Sequence, residues 1–214
     1  MTATTIRPDV LARGCVDLPG IVPDALWDLL HAESEALRPG MTMAVWEESR
    51  GVAKFRDGSF SSPARFGYHA GGRVLRAFHT ARATIAAIRE ATGRERLIPY
   101  QCSYNYYRRG DYLCLHRDTI KATITCTFGL TRNLGAMCFA PALRDARNDD
   151  LERLVAEAGP MPAGFDELPT EYHVVRGFHG YDVPHWRRPF EHDLGVLGVF
   201  SYFDLGNDHL VARQ

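Results

Sequence analysis

No apolar run in the 214-residue sequence approaches the roughly 20 residues that a helix needs to span a bilayer. Charge of one sign is also lacking, since 25 Lys and Arg face 26 Asp and Glu, for a formal net charge of −1. A nucleic acid or an anionic membrane surface is therefore not expected as the main partner. The five cysteines (Cys15, Cys102, Cys114, Cys126 and Cys138) are odd in number and form no CxxC pair, which argues against a disulfide framework or a structural zinc site. Four of them fall at alternating positions of apparent strands, as buried thiols do in a reducing compartment. Met1-Thr-Ala-Thr-Thr lacks the basic start and apolar stretch of a signal peptide, so a soluble cytoplasmic protein is expected. GxSxG, a P-loop, a convincing catalytic triad, internal repeats and low-complexity linkers are all missing, which leaves one domain over 1–214.

What is present divides the chain in two. Residues 1–98 carry helical signals. A short strand at Val16–Ile21 leads into a helix from Asp24, a plausible N-cap, to about Leu37, with Leu26, Leu29, Leu30 and Leu37 on one face. A second helix is expected from Arg73 to Thr92 on the spacing of Val74, Phe78, Ala81, Ile85 and Ile88, closed by Gly93. Between them, residues 40–72 show no periodicity and read as a long irregular loop of the kind that lids a binding site. Trp46, Arg50, Arg56, Arg65 and Tyr68 in this segment could line a pocket, and the cations hint at an acidic or amino-acid-like ligand.

Residues 99–206 change to short β-prone segments. These are Gln101–Tyr107, Tyr112–His116, Ala122–Leu130, Ala136–Ala140, Tyr172–Phe178, Gly180–Arg188 and Val196–Asp204, with one helix at about Asp149–Ala158. Ala122–Leu130 alternates most clearly: Ile124, Cys126, Phe128 and Leu130 oppose Thr123, Thr125, Thr127 and Gly129. A mainly β fold with supporting helices, a sandwich or barrel, follows.

The chemistry-bearing stretch is Tyr107-Arg-Arg-Gly-Asp-Tyr-Leu-Cys-Leu-His116-Arg-Asp118. On an extended strand His116 and Asp118 point the same way, together with Tyr112 and Cys114, while Leu113 and Leu115 point oppositely. A second imidazole from a later strand would complete two nitrogens and one carboxylate on one face of a metal, an arrangement that suits non-haem Fe(II). His173, His179, His185 and His192 lie in the right region. His179 and His185 are an even number apart, so alternation alone does not choose between them. His31, His69, His79 and His209 read as surface or satisfied structural histidines, as do His173 and His192.

Tyr107…Gly110-Asp111-Tyr112-Leu113…His116-Arg117-Asp118 resembles the prolyl-hydroxylase-like branch of the Fe(II)- and 2-oxoglutarate-dependent oxygenases. Val196-Leu-Gly-Val-Phe-Ser-Tyr-Phe-Asp204 is similar to that family's last core strand, and Gly14-Cys-Val-Asp-Leu-Pro-Gly20 to its opening. The resemblance implies a double-stranded β-helix (jelly-roll, cupin-like) core and a dioxygenase that hydroxylates or otherwise oxidises a small-molecule substrate with O2. It also implies Fe(II) held by His116, Asp118 and His185, the last favoured because it stands one strand before the final one. Asp118 argues against the halogenating subset, which lacks this carboxylate. Tyr107 is the implied second contact to 2-oxoglutarate.

One departure matters. The family's basic residue at the start of the last strand is replaced here by Leu194, Gly195 and Val196, none of which can pair with a carboxylate. Arg187 shares a strand face with His185, about 7 Å deeper, and can take its place. Lys121 and Arg132 are the reserve cations, and Arg188 reads as a surface charge. Two other functions remain open: a non-haem iron oxygenase or oxidase that does without 2-oxoglutarate, and a jelly-roll module that binds a metal or ligand without catalysis.

Overall fold

The computed structural model describes residues 14–46, 51–55 and 58–206. Among these, eleven strands join into one antiparallel sheet. They are β1 (Cys15–Leu18), β2 (Thr42–Trp46), β5 (Ala64–Ala70), β6 (Leu97–Tyr107), β7 (Tyr112–His116), β8 (Ile124–Gly129), β9 (Ala136–Phe139), β10 (Asp166–Pro169), β11 (Val175–Phe178), β12 (His185–Arg187) and β13 (Gly195–Asp204). β3 (Ala53–Lys54) and β4 (Phe60–Ser61) form a separate hairpin.

The sheet is curled into two layers. β1-β11-β8-β13-β6 make the larger and β7-β12-β9-β10 the smaller. β5 closes the curl, because its end pairs with β6 (Gly67–Ala70) while its start pairs with β7 (Ala64 and Arg65). This is the jelly roll that the family resemblance implies and one form of the sandwich or barrel that the strand pattern suggests. The N-terminal part reaches into it through β1, β2 and β5. Residues 40–72, expected as a loop, contain the β2–β5 ladder from Thr42↔Tyr68 to Trp46↔Ala64.

Both faces of the larger layer are covered, which explains why β8 is buried at every position yet alternates in type. Ile124, Cys126 and Phe128 turn outward against helices α1 (Asp24–Leu37), α2 (Arg73–Thr80) and α3 (Arg82–Thr92), meeting Trp27, Leu30, Leu75, Phe78 and Ile88. Tyr104 and Tyr106 belong to the same face, where their hydroxyls donate to Glu33 Oε2 and to the Ser34 carbonyl. Helix α4 (Asn148–Ala158) covers the smaller layer, with Leu151 against Phe60, Leu115, Cys138 and Trp186.

Three local expectations change. α1 begins at Asp24 but has Pro23 as its cap residue and no side-chain cap bond. Asp24 instead sits in the first turn, where a carboxylate suits the helix dipole. Leu29 is 55% exposed, and the inward face is carried by Trp27, Leu30 and Ser34. The helix expected over 73–92 is two helices broken at Ala81 (ψ 135°). The Tyr202 hydroxyl donates to the His79 carbonyl, which a continuous helix would use, and the His79 ring Nε2 donates to the Ser201 carbonyl, tying this end of α2 to β13. Gly93 ends α3 in the left-handed conformation (φ 67°), as expected of a glycine there. Among the described residues, no helix is long and apolar enough to cross a membrane.

Candidate metal centre and co-substrate pocket

β7 and β12 run side by side in the smaller layer, and His116 pairs directly with His185. The register then slips, because Arg187 pairs with Leu113, so three steps on β7 match two on β12. The additional residue is a β-bulge at Cys114–Leu115, whose amides bond outward to the Pro63 and Pro160 carbonyls. The bulge turns Leu113 to the same side as His116, into the interior, and not to the opposite side that strict alternation expects.

Asp118 lies just beyond β7, held by its amide on the Gly180 carbonyl at 3.0 Å. Its Oδ1 stands 3.6 Å from His116 Nε2 and 3.9 Å from His185 Nε2, and the two imidazole centroids are 4.1 Å apart. The three donor atoms lie within 4.8 Å of one another, and among the described residues this is the group able to hold a metal. Each imidazole is oriented by its own strand: Nδ1 donates to the Cys114 carbonyl in His116 (3.0 Å) and to the Val183 carbonyl in His185 (2.9 Å). Both Nε2 lone pairs are thereby directed inward, the tautomer a metal ligand needs.

Electrostatics agree with a cation between them. Burial, with the neighbouring His116, lowers His185 to about 4, so it is a neutral imidazole near pH 7. Burial alone would raise Asp118. The neighbouring His116 and His185 and the hydrogen bond from the Thr125 hydroxyl outweigh it and hold the carboxyl at about 2. Thr125 Oγ1 donates to Oδ2 at 2.5 Å and leaves Oδ1 for the metal. Removing that support by Thr125→Val is expected to weaken Fe(II) binding about 10-fold, measured by competition with a chelator. Gly180 packs under the same carboxylate: a Cβ there would lie 2.1 Å from Asp118 Oδ2 and 2.7 Å from Thr125 Oγ1. Gly180→Ala should therefore displace Asp118 and weaken metal binding at least as much, with a fold cost of about 1–3 kcal/mol read from thermal unfolding.

The other histidines stand apart. His179 is buried with Nδ1 3.6 Å from Asp182 Oδ2, outside the cluster. His173 stacks on Trp27 at 4.3 Å, His79 bonds Ser201, His69 is half-buried, and His31 and His192 are exposed. His209 lies outside the described residues.

From these three side chains a cavity of about 510 Å³ runs inward between the layers to Arg187 and Tyr107. Arg187 is 3% exposed. Its Nη1 donates to the Leu134 carbonyl at 2.6 Å and its Nη2 to Thr170 Oγ1 at 3.0 Å, with the guanidinium 5.4 Å from the centre of the Tyr107 ring. No carboxylate pairs with it among the described residues. Burial lowers the pKa of Arg187 from the usual guanidinium value and raises that of the Tyr107 hydroxyl, each partly offset by the other. The start of β13 has no space for a competing cation, since a Cβ on Gly195 would lie 2.6 Å from the Phe190 ring and 2.7 Å from Leu134. Lys121 and Arg132 are exposed, the latter over Tyr172 at 4.6 Å, and Arg188 is a surface charge paired with Glu167 at 2.6 Å.

Of the loop residues, Tyr68 lines the cavity, whereas Arg65 pairs with the buried Asp111 at 3.0 Å and the Trp46 indole donates to the Gly51 carbonyl. Arg50 and Arg56 lie outside the described residues. Sequence reasoning missed Gln101, Ser103 and Asn105, which line the same wall. Their polar alternation with Cys102, Tyr104 and Tyr106 was the available signal. A second cavity of about 360 Å³ reaches His116 and Asp118 from the β3–β4 side past Phe55 and Ser61, which leaves both side chains accessible from outside.

No protein-family model matches the sequence, and no curated protein is similar to it. Solved structures are similar in fold. The non-haem alpha-ketoglutarate-dependent epimerase SnoN of nogalamycin biosynthesis aligns over 91% of this chain and 82% of its own, at 16% identity and a TM-score of 0.65. HygX of Streptomyces hygroscopicus, with nickel and 2-oxoglutarate bound, aligns over 94% and 88% at 10% identity and 0.64. A Pseudomonas putida prolyl-4-hydroxylase aligns over 94% and 99% at 15% identity and 0.56. The chain thus has the jelly-roll fold of the Fe(II)- and 2-oxoglutarate-dependent oxygenases.

Proposed function

We propose that this protein is an Fe(II)- and 2-oxoglutarate-dependent dioxygenase acting on a small molecule, with His116, Asp118 and His185 as metal ligands and Arg187 and Tyr107 as the seat of the co-substrate. The observation that carries the reading is the buried Arg187 guanidinium. It lies without an ionic partner among the described residues, in the cavity that opens on a two-histidine, one-carboxylate cluster. An uncompensated buried charge costs several kcal/mol. A dicarboxylate that reaches from the metal to Arg187 would relieve it through a charge-assisted, bidentate contact.

The donor set fits Fe(II): two neutral imidazole nitrogens and one carboxylate oxygen on one side leave the other side open. Iron with 2-oxoglutarate and O2 would supply the oxidising power for a substrate C–H bond, with succinate and CO2 as by-products. The chain's own contribution is placement. Thr125 and Gly180 fix the Asp118 carboxylate, the Cys114 and Val183 carbonyls fix the imidazoles, and Arg187 sets the depth of the co-substrate. Leu113, Met137, Phe178 and Leu197 line the cavity and exclude water from it.

The test is oxygen-dependent conversion of 2-oxoglutarate to succinate by the Fe(II)-loaded protein. Succinate formation that needs both iron and O2 is expected. O2 consumption that does not change when 2-oxoglutarate is withheld would favour an iron oxidase of another kind. Iron binding with no turnover of any sort would favour the binding module.

A further inference from the structure

The cavity wall facing the metal has a composition that restricts what can occupy it. Apart from the three metal ligands and Arg187, its lining includes no Asp, Glu, Lys or Arg among the described residues. A charged group brought into that space would find no counter-ion once Arg187 is engaged, and an unpaired buried charge is strongly disfavoured. Two features of the wall are positive. β2 and β5 present an apolar surface of Ala44, Phe66, Tyr68 and Ala70, and Tyr68 is 42% exposed at the rim. Phe66 is stacked on Tyr107 at 5.4 Å, which fixes its ring as part of a flat floor. Opposite the metal, β6 presents Gln101, Ser103 and Asn105. Ser103 Oγ donates to Asn105 Oδ1 at 3.0 Å, which turns the Asn105 amide nitrogen into an available donor. Neither that nitrogen, half-buried on β6, nor the amide of Gln101, which is exposed, has a protein partner among the described residues. Donors without partners beside an apolar wall select a ligand with a hydrogen-bond acceptor on an apolar body.

We infer that the substrate is an uncharged small molecule. Its apolar body lies against Phe66 and Tyr68, and its carbonyl or hydroxyl oxygen is received by Asn105 and Gln101. Arg65 does not contradict this, since it is tied to Asp111 and is not part of the cavity lining. The inference rests on the dioxygenase reading only for the placement of the metal and the co-substrate. Asn105 and Gln101 are binding and specificity residues, not groups that react.

The test uses benzamide, benzoate and benzylamine as matched neutral, anionic and cationic probes. In the first series the protein carries Mn(II) and saturating 2-oxoglutarate, and probe binding is read by saturation-transfer NMR, with Mn(II) line-broadening placing the probe beside the metal. In the second, metal-free Arg187→Met protein is used, so that no anion site competes. Benzamide is expected to bind at least about 10-fold more tightly than either charged probe in both series. Asn105→Leu and Gln101→Leu should each weaken benzamide about five-fold or more without changing Mn(II) affinity, which also verifies that the variants are folded. A charged probe that binds as tightly as benzamide, or none of the three binding, overturns the inference, as does wild-type affinity in both variants. If 2-oxoglutarate fails to bind in the first series while the second keeps the benzamide preference, the dioxygenase reading fails and this one stands.

Discussion

Replacement of His185 by Ala is expected to cost the protein its equivalent of bound Fe(II), while His179→Ala retains it. Both histidines are buried and only six residues apart, so loss of packing alone does not separate them. His185 Nε2 lies 3.9 Å from Asp118 Oδ1 and stands beside His116, whereas His179 is turned to Asp182. The same loss is expected for His116→Ala and Asp118→Ala. Removing a supporting residue costs up to about 100-fold in metal affinity, so removing a ligand should cost more than that. Metal analysis after dialysis against a fixed free Fe(II) concentration measures the stoichiometry, and circular dichroism checks the fold. One Fe(II) per chain in His185→Ala with loss in His179→Ala would reverse the assignment.

Arg187→Met should carry the second large effect. A buried ion pair that loses one partner costs about 3–5 kcal/mol, which corresponds to a rise of at least about 100-fold in the dissociation constant for 2-oxoglutarate. Arg188→Met serves as the control, because Arg188 differs by one position yet lies on the surface against Glu167. Fe(II) binding is expected to be kept in both. Calorimetric titration of 2-oxoglutarate into the anaerobic Fe(II) protein measures the affinities. Equal values for wild type and Arg187→Met would leave the co-substrate's far carboxylate without this anchor.

Much of the site was legible because its signals are local. His116 and Asp118 are two residues apart, and β8 shows in its Thr/apolar alternation which face packs on helices and which lines a cavity. What was hidden depends on partners distant in the chain. The bulge at Cys114–Leu115 exists because β7 must satisfy carbonyls of Pro63 and Pro160 while holding register with β12. Nothing in Tyr112–His116 itself announces this, so strict alternation puts Leu113 on the wrong side. β2 and β5 escaped notice for a related reason. Their exposure alternates weakly, since one face lines an open cavity and the other is partly in solvent. Their strand character comes from pairing with β6 and β7, not from composition. The break at Ala81 is likewise imposed by Tyr202 and Ser201, more than 100 residues away.

A crystal grown and soaked without oxygen in Fe(II) and 2-oxoglutarate tests the central claim most directly. One metal is expected on His116 Nε2, His185 Nε2 and Asp118 Oδ1, with Thr125 still on Oδ2. The 2-oxoglutarate should extend from that metal to place its far carboxylate on the Arg187 guanidinium beside Tyr107. Metal bound by another set of side chains, or a co-substrate whose far carboxylate is held away from Arg187, would contradict the account.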